Sequence, residues 1–293
     1  MTPADFAQKY KSLNVFVLPY EGKTKDPKSD AAAPASWLRG LNVHQYRLGE
    51  SGFRSLLWGS VSSNMPKTGC EVTVESLDAK PTTVSVDSKK AWELFRFPFV
   101  GKGSPEQVQA TIQLLYRYRI NVSTIRQFAG EGTSSFIGLD CNGFVGNYLQ
   151  RVVQGQDWLH QKNLKDPGPD SYIADIMKSA TDPVTSLSEI ADNRQSIYVL
   201  AFCSPQGVIY DHGSGPMGVG HIMISNPGVT GVPPNEMRFQ VSESTGGIGL
   251  TTTEYVIKKE LVKGNRLQRI GAVFNVFRGS HKYDMTVKMG RLK

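Results

Sequence analysis

From residue 104 onward, the order in which apolar periodicities succeed one another narrows the choice of fold. Val108, Ile112, Leu115 and Tyr116 recur at helical spacing and predict a helix with one buried face. Ser104 and Pro105 supply its N-cap and first helical position. A Gly/Ser-rich loop from Gly130 then runs into a second helical pattern, Phe144, Val145, Tyr148, Leu149, Val152 and Val153, which Gly155 ends. After a polar region over 157–193, the period falls to two. Strands are predicted at 197–203, 219–225, 238–244 and 272–278, with a mixed segment at 252–267 before the last. Helices followed by an antiparallel meander make an α+β arrangement.

The first hundred residues read differently. A short apolar segment at 14–20 precedes a Gly, Lys, Asp, Pro and Ala stretch over 21–36 that reads as a linker. Runs at 55–61, 71–75, 82–86 and 94–100, rich in β-branched and aromatic residues, predict a small and mostly β unit. The breaker Gly101-Lys-Gly-Ser-Pro105 sets the expected boundary between an N-terminal region, 1–103, with a targeting or accessory role, and a second domain, 104–293.

Composition excludes several classes. A hydrophobic fraction of 39% is enough for a packed core and argues against disorder. No window approaches the roughly 18 apolar residues that span a bilayer, and the stretch at 15–18 lacks a signal-peptide layout. The chain is therefore expected to be soluble and cytoplasmic as made. Cys70, Cys141 and Cys203 are too few and scattered for a disulfide framework, and no C-x-x-C pair forms a zinc cage. No cofactor or metal is expected. A net charge of +7 favours an anionic partner: a wall polymer, nucleic acid or a lipid surface.

Chemistry concentrates at Asp140-Cys141-Asn142-Gly143. Cys141 follows a plausible N-cap in the first turn of a helix, where unpaired N–H groups and the helix dipole favour an anion. Thiols so placed become reactive, and the same N–H groups can serve as an oxyanion hole. Gly143 and Gly146 each cost about 1 kcal/mol in a helix, which implies a close approach by something else, such as a catalytic strand. A nucleophilic thiol needs a base. His221 opens the apolar run 221–225 after Gly218-Val-Gly220, where small neighbours leave room for an imidazole; His212 competes from a loop. Along 238–244 the period-2 rule puts Glu243 on the apolar face with Phe239 and Val241, where a carboxylate needs a partner and could orient His221 across the strands. Gln240 and Ser242 are the fallback orienters. The motif Gly213-Ser-Gly-Pro-Met-Gly218 precedes a strand instead of opening a helix, which argues against a dinucleotide site. Lys258, Lys259, Lys263, Arg266, Arg269 and the basic 282–293 segment read as a solvated face that could contact a polyanion.

Asp140-Cys-Asn-Gly-Phe-Val145, then Gly220-His-Ile-Met-Ile224, then Val241-Ser-Glu-Ser-Thr245 together resemble the NlpC/P60 superfamily of papain-like cysteine peptidases and amidases, over roughly 104–293. Asn142 stands where the family commonly has Ser, and Met223 where it has Gly. The resemblance implies a papain-like core of helices on an antiparallel sheet, with Cys141 as nucleophile, His221 as base and Glu243 as its orienter. By analogy with papain-like enzymes, Gln127 is a candidate oxyanion residue. It further implies hydrolysis of an amide or isopeptide bond in peptidoglycan peptides. With no export signal, an antibacterial toxin or lysin delivered by a dedicated secretion machine or by phage-type release is expected, with an inhibitor or immunity protein as a further partner; nucleic acid is not expected as one. The alternatives are a papain-like acyltransferase, deamidase or peptidase acting on a protein or lipid, and a non-catalytic polymer-binding module.

Overall fold

The structure is a computed structural model that describes residues 1–18, 35–43, 63, 65, 68–117, 137–159, 167–211, 220–233, 236–279 and 285–293. The expected strand at 55–61 and most of the expected linker lie outside them.

A helix the sequence reading did not identify comes first. Pro3–Lys11 (α1) starts with a capping box in which the Thr2 side chain accepts from the Asp5 N–H and the Asp5 carboxylate accepts from the Thr2 N–H. Strands Leu13–Val17 (β1), Ser36–Leu41 (β2), Cys70–Glu75 (β3) and Pro81–Val86 (β4) form an antiparallel sheet in the order β2-β1-β3-β4. Strands β1 and β3 share a single paired position, Val15 opposite Val74.

Glutamines fill the gap that this divergence leaves. Helix Pro105–Arg117 (α3) lies on β1 and β3, and its Gln109 accepts from the Glu75 N–H at 2.8 Å and donates to the Glu75 carbonyl at 2.9 Å. One turn on, Gln113 accepts from the Thr73 N–H at 2.9 Å and donates to the Phe16 carbonyl. The amides thus satisfy strand groups that would otherwise be buried unpaired. The expectation of one buried face for α3 is therefore corrected: Pro105 through Leu115 are buried on every side, because the polar positions meet backbone groups or, at Glu106, the Arg151 side chain instead of water.

Of residues 94–100, expected as a strand, 94–99 belong to helix Ser88–Phe99 (α2) and Val100 is its C-cap. Asp87 caps it by accepting from the Lys90 N–H at 2.8 Å. Ala91, Leu94, Phe95 and Phe99 form its buried stripe at helical spacing. Pro98, a helix breaker in isolation, removes one N–H and leaves the Leu94 carbonyl without its donor. The Thr111 hydroxyl of α3 donates to that carbonyl at 2.6 Å, so a tertiary contact repairs what the sequence breaks.

Helix Cys141–Tyr148 (α4) continues as a π turn, Leu149–Val153, and is followed by helix Ile173–Ala180 (α5), strand Thr181–Pro183 (β5) and helix Leu187–Asp192 (α6). Strands Tyr198–Phe202 (β6), Ile222–Ser225 (β7), Thr230–Gly231 (β8), Met237–Thr245 (β9), Gly249–Val262 (β10), Val273–Arg278 (β11) and Met285–Leu292 (β12) follow. The expected antiparallel meander closes on itself. Going round, β6, β7, β9, β10, β11 and β12 pair in succession and β12 returns to β6, a six-stranded barrel, with β5 added beside β12 and β8 beside β9. The mixed segment at 252–267 is mostly the long strand β10, and the segment read as a basic surface near the C-terminus contains β12.

Leu200, Met223, Phe239, Val241, Tyr255, Phe274, Val276, Val287 and Met289 fill the barrel. On β6 and β7 the outward residues are buried too, because α4 covers that wall: Val199, Ala201, Ile222 and Ile224 join a second core with Phe144 and Val145. This second core runs across residue 104, from Phe6 and Val15 through Phe95 and Ile112 to Phe144. Fully burying one such aromatic contributes roughly 1.5–3 kcal/mol. The architecture is mixed α+β, with the antiparallel strands closed into a barrel.

Candidate active site

Asp140 caps α4 by accepting from the Gly143 N–H, and its other oxygen meets Lys102 Nζ at 2.8 Å in a nearly dry setting. Lys102 belongs to a strap between α2 and α3 that crosses the start of α4. The Gly101 carbonyl accepts from the Asp140 N–H at 3.0 Å, the Lys102 carbonyl from Asn147 Nδ2 at 2.9 Å and the Gly103 carbonyl from the Tyr10 hydroxyl at 3.0 Å. From the barrel side, the Ser244 hydroxyl donates to the Leu139 carbonyl. The first turn of α4 is thus clamped from two directions.

The two helical glycines do mark close approaches, although not by a strand. A Cβ on Gly143 would sit 1.9 Å from the Gly101 carbonyl oxygen, and one on Gly146 would sit 2.3 Å from backbone atoms of Gly168 and Pro169. Gly220 likewise admits the Tyr210 carbonyl, which a Cβ would meet at 2.1 Å, so it makes room for backbone and not for the imidazole.

Cys141 is 5% exposed at the head of α4; its thiol donates to Asn142 Oδ1 at 3.6 Å and lies close enough to the His221 imidazole to act on its charge. His221 stands one residue before β7, its ring centroid 5.0 Å from that of Phe202. Its Nε2 lies 2.8 Å from Glu243 Oε2, which leaves Nδ1 for the thiol. Ile224 pairs with Ser242, so counting along the ladder puts Met223 opposite Glu243 and makes His221 its diagonal neighbour. The length of the glutamate spans that diagonal. Burial alone would lower the His221 pKa, but hydrogen bonds to Cys141 and Glu243 and the charges of both overcome it, and the imidazole is pushed up to about 9.

Glu243 is buried at one end of the barrel interior, on the face of β9 that carries Phe239 and Val241. Besides His221 it accepts from the Tyr255 hydroxyl at 3.1 Å to each oxygen and pairs with Arg278 Nε at 2.9 Å. Burial and the adjacent carboxylate push the Tyr255 hydroxyl far above its usual range. Cys203, by contrast, is a thiol pushed up to about 11 by burial.

The structure therefore brings Cys141, His221 and Glu243 together in that order. The fallback orienters stay apart from His221: Ser242 bonds to Thr252 and Asn226, and Gln240 faces outward. Gln127, His44, His160, His212, His281 and the 213–218 glycine motif lie outside the described residues. Sequence reasoning missed Tyr255, Arg278 and Lys102. For Arg278 a signal existed: Phe274, Val276 and Arg278 share one face of β11, a charge on an apolar stripe of opposite sign to Glu243. Tyr255 gave none, being an ordinary strand aromatic. Among the described residues, no group of three or more ligating side chains is arranged for a metal ion, and no helix is long and apolar enough to cross a membrane. Comparisons of the chain with known families, with curated proteins and with solved structures find no match.

Proposed function

We propose that the protein is a papain-like cysteine hydrolase. The observation that carries this reading is the buried His221–Glu243 pair beside the helix-start Cys141, with the imidazole pushed up to about 9 by Cys141 and Glu243. In the proposed reaction His221 takes the Cys141 thiol proton, the thiolate sulfur attacks an amide carbonyl carbon, and the carbonyl π electrons move to oxygen. With the Gly143 N–H taken by Asp140, the N–H groups of Cys141 and Asn142 at the head of α4 are the donors for the developing oxyanion. Protonated His221 gives its proton to the leaving amine as the C–N bond breaks, leaving a thioester. Neutral His221 then takes a proton from water, whose oxygen displaces the sulfur. Glu243 holds the ring in place and balances its charge throughout.

The resemblance to NlpC/P60 enzymes and the net charge of +7 favour peptidoglycan peptides as substrate, cut at an amide or isopeptide bond. The role that goes with this substrate is an exported antibacterial toxin or lysin, held in check by an inhibitor or immunity protein. The test is to digest purified peptidoglycan and identify released fragments and new amines by mass spectrometry. New amines from the parent protein, with Cys141→Ala and His221→Ala slower by several orders of magnitude, is the expected outcome. An unchanged rate in Cys141→Ala overturns it. Turnover of a protein or lipid amide with an intact wall would retain the triad and replace the substrate.

A further inference from the structure

The hairpin joining β10 to β11 has features that neither the core nor the proposed reaction uses. Strand β10 outruns its partner on one side: β9 pairs with it only as far as Ile257, and Lys258 to Val262 continue with β11 alone. The overhang is tied down at its base, where the Gly264 N–H donates to the Thr185 carbonyl and the Ala272 N–H to the Val184 carbonyl. Its loop is a built one. Asn265 and Ile270 exchange both backbone hydrogen bonds, Asn265 Oδ1 accepts from the N–H groups of Leu267 and Gln268, and Arg269 takes φ +54 to close the turn.

This rigid turn holds an apolar side chain out in water. Leu267 is 95% exposed, and Ile270, Leu261 and Val262 are exposed beside it at 46%, 38% and 39%. Of the large apolar residues exposed among the described residues, these four fall within ten positions. Lys259, Lys263 and Arg269, all exposed, are interleaved with them along the hairpin, with Arg266 paired to Glu189 at 2.8 Å but itself largely exposed. Glu260 is turned away to accept from the Leu187 N–H at 3.1 Å, so no carboxylate of this segment offsets the cations at the tip. A polyanion in solution would use the cations but gain nothing from Leu267. A surface with negative head groups above hydrocarbon uses both.

We propose that this tip is a docking element for an anionic lipid surface, with Leu267 and Ile270 inserted at the head-group boundary and Lys259, Lys263 and Arg269 on the phosphates. The tip projects from the barrel end opposite Glu243. Thr251, which pairs with Glu243, lies near the start of β10 and Val262 at its end, a strand length of at most about 35 Å at about 3.3 Å per residue. The proposal stands independently of the proposed hydrolysis.

The test is flotation of the full chain with vesicles of phosphatidylcholine alone and of phosphatidylcholine containing about one third phosphatidylglycerol. The expected result is at least tenfold stronger partitioning to the anionic vesicles. Leu267→Asp and the double variant Lys263→Glu, Arg269→Gln should each lose about tenfold or more, since each cation contributes roughly fivefold. Circular dichroism of Leu267→Asp should match the parent, because the side chain touches no core. Cys141→Ala should float unchanged. Equal or no partitioning to the two vesicle types overturns the proposal. So does full binding by Leu267→Asp, which would reduce the tip to a polyanion contact.

Discussion

Glu243 accepts from an imidazole, a phenol and a guanidinium at once, and each removes part of the cost of holding a carboxylate inside a barrel. Taking away the guanidinium should expose that cost: Arg278→Met is expected to destabilise the protein by about 3–5 kcal/mol, read from urea unfolding. The His221 imidazole gives a second prediction. Its folded pKa, about 9, lies above the ordinary 6.5, so protonation stabilises the fold fully below about 6.5 and this contribution is lost as pH rises through 9. An NMR titration of the His221 ring should show a midpoint near 9, moving to lower pH in Cys141→Ala and in Glu243→Gln, because each change removes a group that favours the cation. A midpoint unmoved by either change would mean that neither partner sets the ring's charge. These three side chains were legible as residues, from a helix-start cysteine, a strand-start histidine and a carboxylate on an apolar stripe. Tyr255 was not, since nothing in a strand aromatic reveals that its hydroxyl faces a charge.

Helix α4 shows how an element can depend on backbone from elsewhere. Gly143→Ala places a methyl group where the Gly101 carbonyl oxygen stands, so the strap or the helix start must move. The expected cost is about 1–3 kcal/mol in thermal unfolding, with slower alkylation of Cys141 as the thiol leaves its place beside His221. Gly155→Ala, at an unobstructed position past the helix, is the control for glycine loss in this segment, with strain only from its φ of +64. Helix α2 carries a related dependence. Thr111→Val removes the donor to the Leu94 carbonyl and should cost about 1–3 kcal/mol, the price of a buried acceptor left unmet. The same contact explains why 94–100 read as a strand. Alternating aromatics and Pro98 argue against a helix locally, and a hydroxyl from α3 reverses the balance.

At the scale of the molecule, the barrel is what places His221 and Glu243 side by side, and β12 is what closes it. Its pairing with β6 spans Val287 opposite Phe202 through Arg291 opposite Tyr198, so a chain ending at residue 284 would leave β6 and β11 with open edges. Such a truncation is expected to lose cooperative unfolding, with exposed apolar surface detected by dye binding. The N-terminal helix has a comparable reach, since Phe6 packs on Phe144 and Tyr148 of α4 at 5.9 and 5.7 Å between ring centroids.

Periodicity and spacing along the chain determined the α+β class, the helix beginning at Cys141, the antiparallel meander and three side chains of the candidate site. These are properties of short windows, where backbone geometry ties side-chain direction to position. Tertiary structure alone decided the closure of the meander into a barrel, the burial of α3 on every side, the helical state of 94–99 and the strap over α4. Each of these depends on a partner far away in sequence: β12 for β6, Thr73 for Gln113, Thr111 for Leu94, and Gly101 for Asp140. Whether a buried polar group finds its partner is settled only when the chain has folded around it.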